Sequence, residues 1–330
     1  MILSPDHPLI CYTGRWHISA SEAVSTANGS YAEFSFSGEC AVLEFGIDHC
    51  TIPFPRIYLS VDNGANIEVP LDKFIRISAE STNPLSDDKA SHTVRLILKG
   101  SVELQNRWLT PLEAAVSLRS IEADDFLPLP DDCRKTIEFL GDSITEGISI
   151  DVENRFVHYG GSRDMVFWDD ATAGYAWQTA KLLNMRPLLM GYGCLGTTQG
   201  GAGNLPDAVE AYPYSSDGCP IDPANADYIV INHGTNDRRA SREAFFRQYR
   251  RLLDVVRERN PHSKIIALTP FCGAWADEIR DIVETLNRET GDDVYYINTT
   301  GWIPPEPLHP TRNGHKTVAR KLAELLKPLL

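Results

Sequence analysis

Four short stretches, far apart along the 330-residue chain, carry groups suited to acyl transfer. GDSITEG (141–147) offers the Ser143 hydroxyl. GYGCLGTTQGGAG (191–203) is rich in glycine, HGTND (233–237) holds the Asn236 amide, and EPLHP (306–310) holds the His309 ring. A serine hydroxyl is a poor nucleophile near neutral pH, so a base must take its proton; His309 is the candidate. Attack on an ester carbonyl builds an oxyanion that preorganised N–H donors must meet. The donors on offer are the backbone N–H of Ser143, the Asn236 side chain and the backbone N–H of Gly196, where the missing side chain lets substrate come close. Glu306, three residues before His309, is placed to orient the imidazole and stabilise its charged form, as the acid of a triad does.

Other polar residues near these stretches have structural duties. His315 falls within the first turns of the last helical pattern, which suits packing or capping. His233 is a strand-end residue. Asp142 and Asp237 are expected to hold their turns through backbone N–H groups. The stretch 148–172 reads as a long loop carrying Phe156, His158, Tyr159, Phe167 and Trp168, and such loops usually have a purpose. Its aromatic rings either wall a substrate pocket or pack against the first half of the chain. Trp168 and Trp302 are the candidate substrate contacts, although Trp302 and Trp275 suit a core position equally well.

The elements that must position these groups change character midway. Residues 1–125 alternate apolar and polar side chains with period two, as in SYAEFSFSG, RIYLSVDNG and HTVRLILKG. Asn63-Gly64 supplies a hairpin turn before IEVPL. Half-buried strands of this kind must cover one face with a second sheet, so an antiparallel β-sandwich is expected. Residues 126–135, rich in proline and acid, form a linker. Residues 136–330 alternate strand and helix. Apolar runs at 136–140, 186–190, 227–232, 264–268 and 293–298 are separated by helical patterns at 174–184, 241–259 and 276–289, with a last helix near 312–327. That grammar implies a parallel sheet with helices on both faces, and five strands fit the flavodoxin-like order 2-1-3-4-5. Ligands of such sheets sit beyond the carboxyl ends of the strands, beside strand 1. All four chemical stretches follow strands and reach that one rim.

Bulk properties narrow the field. Hydrophobic residues make up 42% and charged residues 23%, as in a soluble globular protein, and the net charge of -14 argues against nucleic acid as a partner. Seven cysteines without a CxxC pair suggest reduced thiols. The start of the chain lacks signal-peptide features, and the uncharged stretch 187–206 is broken by glycine and proline. A cytoplasmic location without a membrane partner is expected. Nothing resembles HExxH or a cysteine cluster, so no metal is expected; neither GxGxxG nor GxxxxGK[ST] occurs, so neither is a nucleotide cofactor. The serine lies outside any GxSxG.

The four stretches resemble the four sequence blocks of the SGNH (GDSL) hydrolase family, with Ser143, Gly196, Asn236 and His309 at the matching positions. The strand-rich first half resembles the sandwich that precedes the hydrolase in carbohydrate esterase family two, whose members remove acetyl groups from sugars. The resemblance implies a flavodoxin-like three-layer SGNH hydrolase domain of five parallel strands after a jelly-roll-like β-sandwich. It implies a serine esterase acting on small acyl esters, with O-acetyl groups on carbohydrate foremost. The alternatives are a lipid, thioester or aryl acylhydrolase with the same site, and an inactive carbohydrate-binding protein. Two departures stand out. The family usually has Asp where this chain has Glu306. Its second block usually has Asn or Ser near the glycine, whereas here Gly191, Gly193 and Gly196 compete; Thr197 and Thr198 follow Gly196 in the family's manner, which selects it.

Overall fold

The computed structural model describes residues 1–78, 91–151 and 165–329. In the first half, two long strands, Tyr31–Phe45 and Val116–Leu127, run antiparallel as the spine of a ten-stranded sheet. Ala32, Phe34 and Phe36 point inward before Gly38, and Ala41, Leu43 and Phe45 do so after it. The inward set changes from even to odd numbers, which takes an irregularity in the ladder. It lies where Ala123 pairs Ala41 but Asp125 pairs Ser37. Gly38 has φ +109° there, and a Cβ would collide with Asp124, so glycine is required. One end of Tyr31–Phe45 pairs with Ser91–Gly100 and the other with Phe74–Ser78. The sandwich is therefore one hydrogen-bonded sheet folded over its own core of Leu3, Phe34, Leu43, Phe45, Val94, Leu96, Ile121 and Phe126.

Two sequence expectations shift slightly. The hairpin joining Arg56–Val61 to Ile67–Pro70 turns one residue early: Asp62 (φ 52°) and Asn63 (φ 57°) are left-handed, and the Gly64 N–H donates to the Val61 carbonyl at 2.8 Å. The last sandwich strand continues to Leu127, past the expected boundary at 125, so the connector is 128–135.

The second half is a three-layer α/β domain. Its parallel strands are β1 (Thr136–Gly141), β2 (Arg186–Gly191), β3 (Tyr228–Asn232), β4 (Lys264–Leu268) and β5 (Tyr295–Ile297), in the order β2-β1-β3-β4-β5. A four-residue helix, α1 (Ser143–Glu146), follows β1. Helices α2 (Tyr175–Leu182) and α5 (Arg312–Leu326) cover one face, packing Tyr175, Ala180, Val318 and Leu322 on Ile137, Phe139, Val230 and Ile266. Helices α3 (Arg242–Arg259) and α4 (Ala276–Thr290) cover the other with Phe245, Leu252, Ile279 and Val283 on Leu140, Ile229, Ile231 and Ile265. Each fully buried Val, Leu, Ile or Phe among them contributes about 1.5–3 kcal/mol. Both faces being covered explains why the strands read as unbroken apolar runs.

Glu138 interrupts the β1 run, and the two halves meet there. Its carboxylate lies 3.9 Å from the Arg15 guanidinium of the sandwich and accepts the Tyr212 hydroxyl at 3.0 Å. Arg15 also donates to the carbonyls of Ala211 at 3.3 Å and Tyr214 at 2.5 Å. Among the described residues no helix is long and apolar enough to cross a membrane, and no cysteine is paired.

Candidate active site

Ser143 is the first residue of α1, directly beyond the carboxyl end of β1, and only 7% exposed. The turn that places it is built from its neighbours. Asp142 caps α1, its carboxylate accepting the Ile144 N–H at 3.0 Å. Burial, with the Asp237 charge nearby, pushes the Asp142 carboxyl up to about 6. Thr145 folds back over Gly141, where a Cβ would collide with it, and its hydroxyl bonds Tyr175 Oη at 2.9 Å. The Ser143 N–H has no hydrogen-bond partner among the described residues, as expected for a donor in the first turn of a helix.

His309 reaches this hydroxyl from the loop between β5 and α5, with its Nε2 2.8 Å from Ser143 Oγ. Thr311, two residues on, caps α5 by accepting the Gly314 N–H at 3.4 Å, and a Cβ on Gly314 would lie 2.9 Å from the buried Pro310. The ring is half-buried, and burial holds its pKa below the ordinary histidine value. At neutral pH it is the uncharged form, with a lone pair able to take the serine proton.

The glycine-rich stretch and HGTND are locked together. The Asp237 carboxylate accepts the N–H of Thr197 at 3.1 Å, the N–H of Thr198 at 2.7 Å and the Thr198 hydroxyl at 2.6 Å. Asn236 Nδ2 donates to the Leu195 carbonyl at 3.0 Å, leaving its second hydrogen for a ligand. The three competing glycines separate by what lies against them. Gly191 admits the α1 backbone at Glu146, and Gly193 lies under the Glu103 side chain with its N–H directed at the Glu146 carboxylate. A Cβ on Gly196 would lie 2.7 Å from Asp237 Oδ1, and its N–H donates to the Gln199 carbonyl at 3.2 Å. Gly193 therefore faces away from the site. Gly196 meets an oxyanion only by loosening or sharing that long bond.

The structure does not bring Glu306 to His309. Its side chain is exposed and makes no hydrogen bond or ion pair among the described residues, and burial alone accounts for the lowered pKa of His309. The pair stands without the expected acid. Glu306 instead shares a cavity of about 260 Å³ with Trp302, Ile303 and Thr311, and neither Ser143 nor His309 lines it. Trp302 packs on the α5 side of the core, and its carbonyl accepts Lys321 Nζ at 3.1 Å.

The stretch after α1 is not simply a loop. It contains a short helix, Met165–Trp168, and a 3-10 turn, Ala171–Ala173. Trp168 is half-buried, and its carbonyl accepts the Asp151 N–H at 3.1 Å; no hydrogen bond ties it to Ser143 or His309. Phe167 lies under the Arg56 guanidinium, 4.8 Å from its ring centre, so it packs on the sandwich. Phe156, His158 and Tyr159 lie outside the described residues. Trp275 stacks on Phe245 at 4.3 Å within the core. His315 is fully buried and caps α2, accepting the Tyr175 N–H on Nδ1 at 2.9 Å. Burial first, then the Arg312 guanidinium and the His309 ring whenever that ring is protonated, push it down to about 3.

One group near the site went unread in the sequence. Glu146, three residues after the serine, is fully buried and forms an ion pair with Arg107 from the sandwich. The signal was available in the fourth helical residue of GDSITEG, an acid in an otherwise buried turn.

A three-layer α/β sheet with a serine at the tip of its first strand and a histidine delivered from the loop before its last helix defines a class of hydrolase. Residues 139–317 match the GDSL-like Lipase/Acylhydrolase family, and the chain belongs to it. A cellulase/esterase from Acetivibrio thermocellus is 25% identical over 98% of this chain and 40% of its own length. An acetylxylan esterase / glucomannan deacetylase from Cellvibrio japonicus is 25% identical over 64% of this chain and 62% of its own. The chain thus spans less than two thirds of both curated relatives. A solved family two carbohydrate esterase from Cellvibrio japonicus superimposes with a TM-score of 0.78 at 20% identity, covering 100% of this chain and 97% of that one. The sandwich-plus-hydrolase fold is therefore shared along the whole chain.

Proposed function

We propose that this chain is a serine esterase that removes acetyl groups from carbohydrate. The observation that carries the reading is the 2.8 Å contact between His309 Nε2 and Ser143 Oγ at the carboxyl rim of the sheet. His309 takes the Ser143 proton as Oγ attacks the ester carbonyl. The tetrahedral oxyanion is met by the Ser143 N–H, the free Asn236 hydrogen and the Gly196 N–H. Collapse expels the sugar alcohol, protonated by His309, and leaves an acetyl-serine. Water deprotonated by His309 then releases acetate. Among the described residues no carboxylate partners His309. The choice of acetyl and carbohydrate rests on the activities named for the two curated relatives, since a fold alone does not fix a substrate.

The test is turnover of an activated acetate and of acetylated oligosaccharides by wild type and Ser143→Ala. The variant is expected to fold normally and lose activity by at least about a thousandfold. Equal rates for both proteins would refute the nucleophile; faster turnover of octanoyl than acetyl esters would refute the acetyl preference.

A further inference from the structure

The sandwich inserts a charge directly behind the nucleophile. Arg107 Nη1 reaches the Glu146 carboxylate on α1, and neither side chain exposes any surface. Asn28, also of the sandwich, donates to the same carboxylate oxygen at 2.8 Å and is held in turn by Ser101 at 3.3 Å. The guanidinium rests over the Tyr192 ring, 5.1 Å from its centre. The backbone around Arg107 splints the glycine-rich stretch: its N–H donates to the Gly203 carbonyl at 3.0 Å, and Glu103 covers Gly193.

This arrangement is costly. Burying two charges costs several kcal/mol, and their attraction repays that only when every remaining donor and acceptor is satisfied. Among the described residues Arg107 Nε and Nη2 and Glu146 Oε2 have no hydrogen-bond partner. An apolar pair of similar volume would hold the domains together at least as well. What it would not supply is direction. Glu146 joins α1, which carries Ser143, to the stretch that carries Gly196, and its position is set from the other domain.

Building on the esterase reading, we propose that Arg107 is a positioning residue of the sandwich: by gripping Glu146 it holds the Ser143 turn and the glycine-rich stretch in mutual register, so that the first domain completes the active site of the second. Arg107 touches no reacting atom. Its effect is on the transition state, where a displacement of about 1 Å costs on the order of a hundredfold.

The decisive variant is Arg107→Met with Glu146→Gln, which removes both buried charges while the introduced amide oxygen can still accept from Asn28. It is expected to melt within a few degrees of wild type and keep KM for 4-nitrophenyl acetate within about twofold, with kcat roughly ten- to a hundredfold lower. Arg107→Lys, which keeps the charge and loses the planar fork, is expected to lie between the two. A folded double variant with wild-type kcat overturns the proposal. If the double variant does not fold, Arg107→Lys decides: a loss of kcat of about fivefold or more at unchanged KM supports the proposal, and wild-type kcat overturns it. Labelling with a fluorophosphonate separates this from failure of the esterase reading. A wild-type chain that neither labels at Ser143 nor turns over ester refutes the esterase, and this inference with it. A wild type and double variant that label at equal rates refute the positioning role alone.

Discussion

Replacing Glu306 by Gln tests whether His309 works without an acid. In a serine triad whose acid contacts the histidine, neutralising that acid costs about 10⁴ in kcat, or roughly 5–6 kcal/mol. Here the carboxylate is exposed and outside hydrogen-bond reach. Acting through water across about 8 Å, one charge shifts another by only about 0.5 kcal/mol, a factor of about two. Glu306→Gln should therefore leave kcat/KM within about twofold of wild type. The pH profile gives a second reading. Burial disfavours the imidazolium, so His309 stays neutral to lower pH than an ordinary histidine. The active form is the neutral ring, so kcat/KM should rise with pH through a single limb centred below about 6.5. A carboxylate in contact would pull that limb upward. The assay is hydrolysis of an activated acetate between about pH 4 and 8 by both proteins. A loss of about a hundredfold or more in Glu306→Gln, or a wild-type limb above about 7 that falls in the variant, would refute the two-residue mechanism.

Asp237→Ala should cost about 2–6 kcal/mol in urea unfolding, because it strands the N–H groups of Thr197 and Thr198 at about 1–3 kcal/mol each. It should also lower kcat more than KM; an unchanged kcat would show that the clamp does not shape the site. His315→Gln should be less stable than wild type at about pH 7.5 by an amount that shrinks by about 1.4 kcal/mol at about pH 5.5. The reason is the sign of its shift. With a native value near 3, His315 stays neutral when folded but takes up a proton when unfolded, so its contribution is full above about 6.5 and declines as pH falls towards 3. A gap that does not change with pH would mean that His315 is not held neutral.

The hydrolase fold was legible because its signals are local. TIEFL, KIIAL and the 241–259 pattern each carry a periodicity that tertiary packing reinforces, so β1, β4 and α3 lie within a residue or so of expectation. The strand order was the flavodoxin-like one that five alternating strands fit, and the sheet has it. In the sandwich, only the first part of Tyr31–Phe45 was legible, as SYAEFSFSG; its continuation past Gly38, with the inward set changed from even to odd, depends on the partner strand's register. At the site, Ser143 and His309 could be matched because their chemistry demands a partner. Glu306 misled for the same reason: a carboxylate three residues from a histidine fits a triad by spacing, but its direction depends on a loop whose course spacing does not encode.

The charged residues inside apolar elements carry the remaining lesson. Glu138 sits in the middle of β1 and Glu146 in the turn that follows it, and an acid fully buried in a strand or turn either meets a cation or gives up its charge, as the raised Asp142 carboxyl tends to do. Among the described residues neither forms an ion pair within its own domain. Glu138 meets Arg15 and Glu146 meets Arg107, both from the sandwich. A third tie differs in form: Arg312 of α5 bonds Asp151 at 2.7 Å and Asp170 at 3.2 Å within the hydrolase domain, and only the Tyr58 hydroxyl, donated to Asp170 at 3.1 Å, comes from the sandwich. Two of these ties bear on elements that carry the reacting groups: α1, which begins with Ser143, and the start of α5, which His309 precedes. Without the sandwich, Glu138 and Glu146 would lose these partners, and an acid left buried without one neutralises or drags its segment towards water. The hydrolase domain is therefore matched to the sandwich, since the cations that face the acids of its first strand and nucleophile turn lie in the preceding domain.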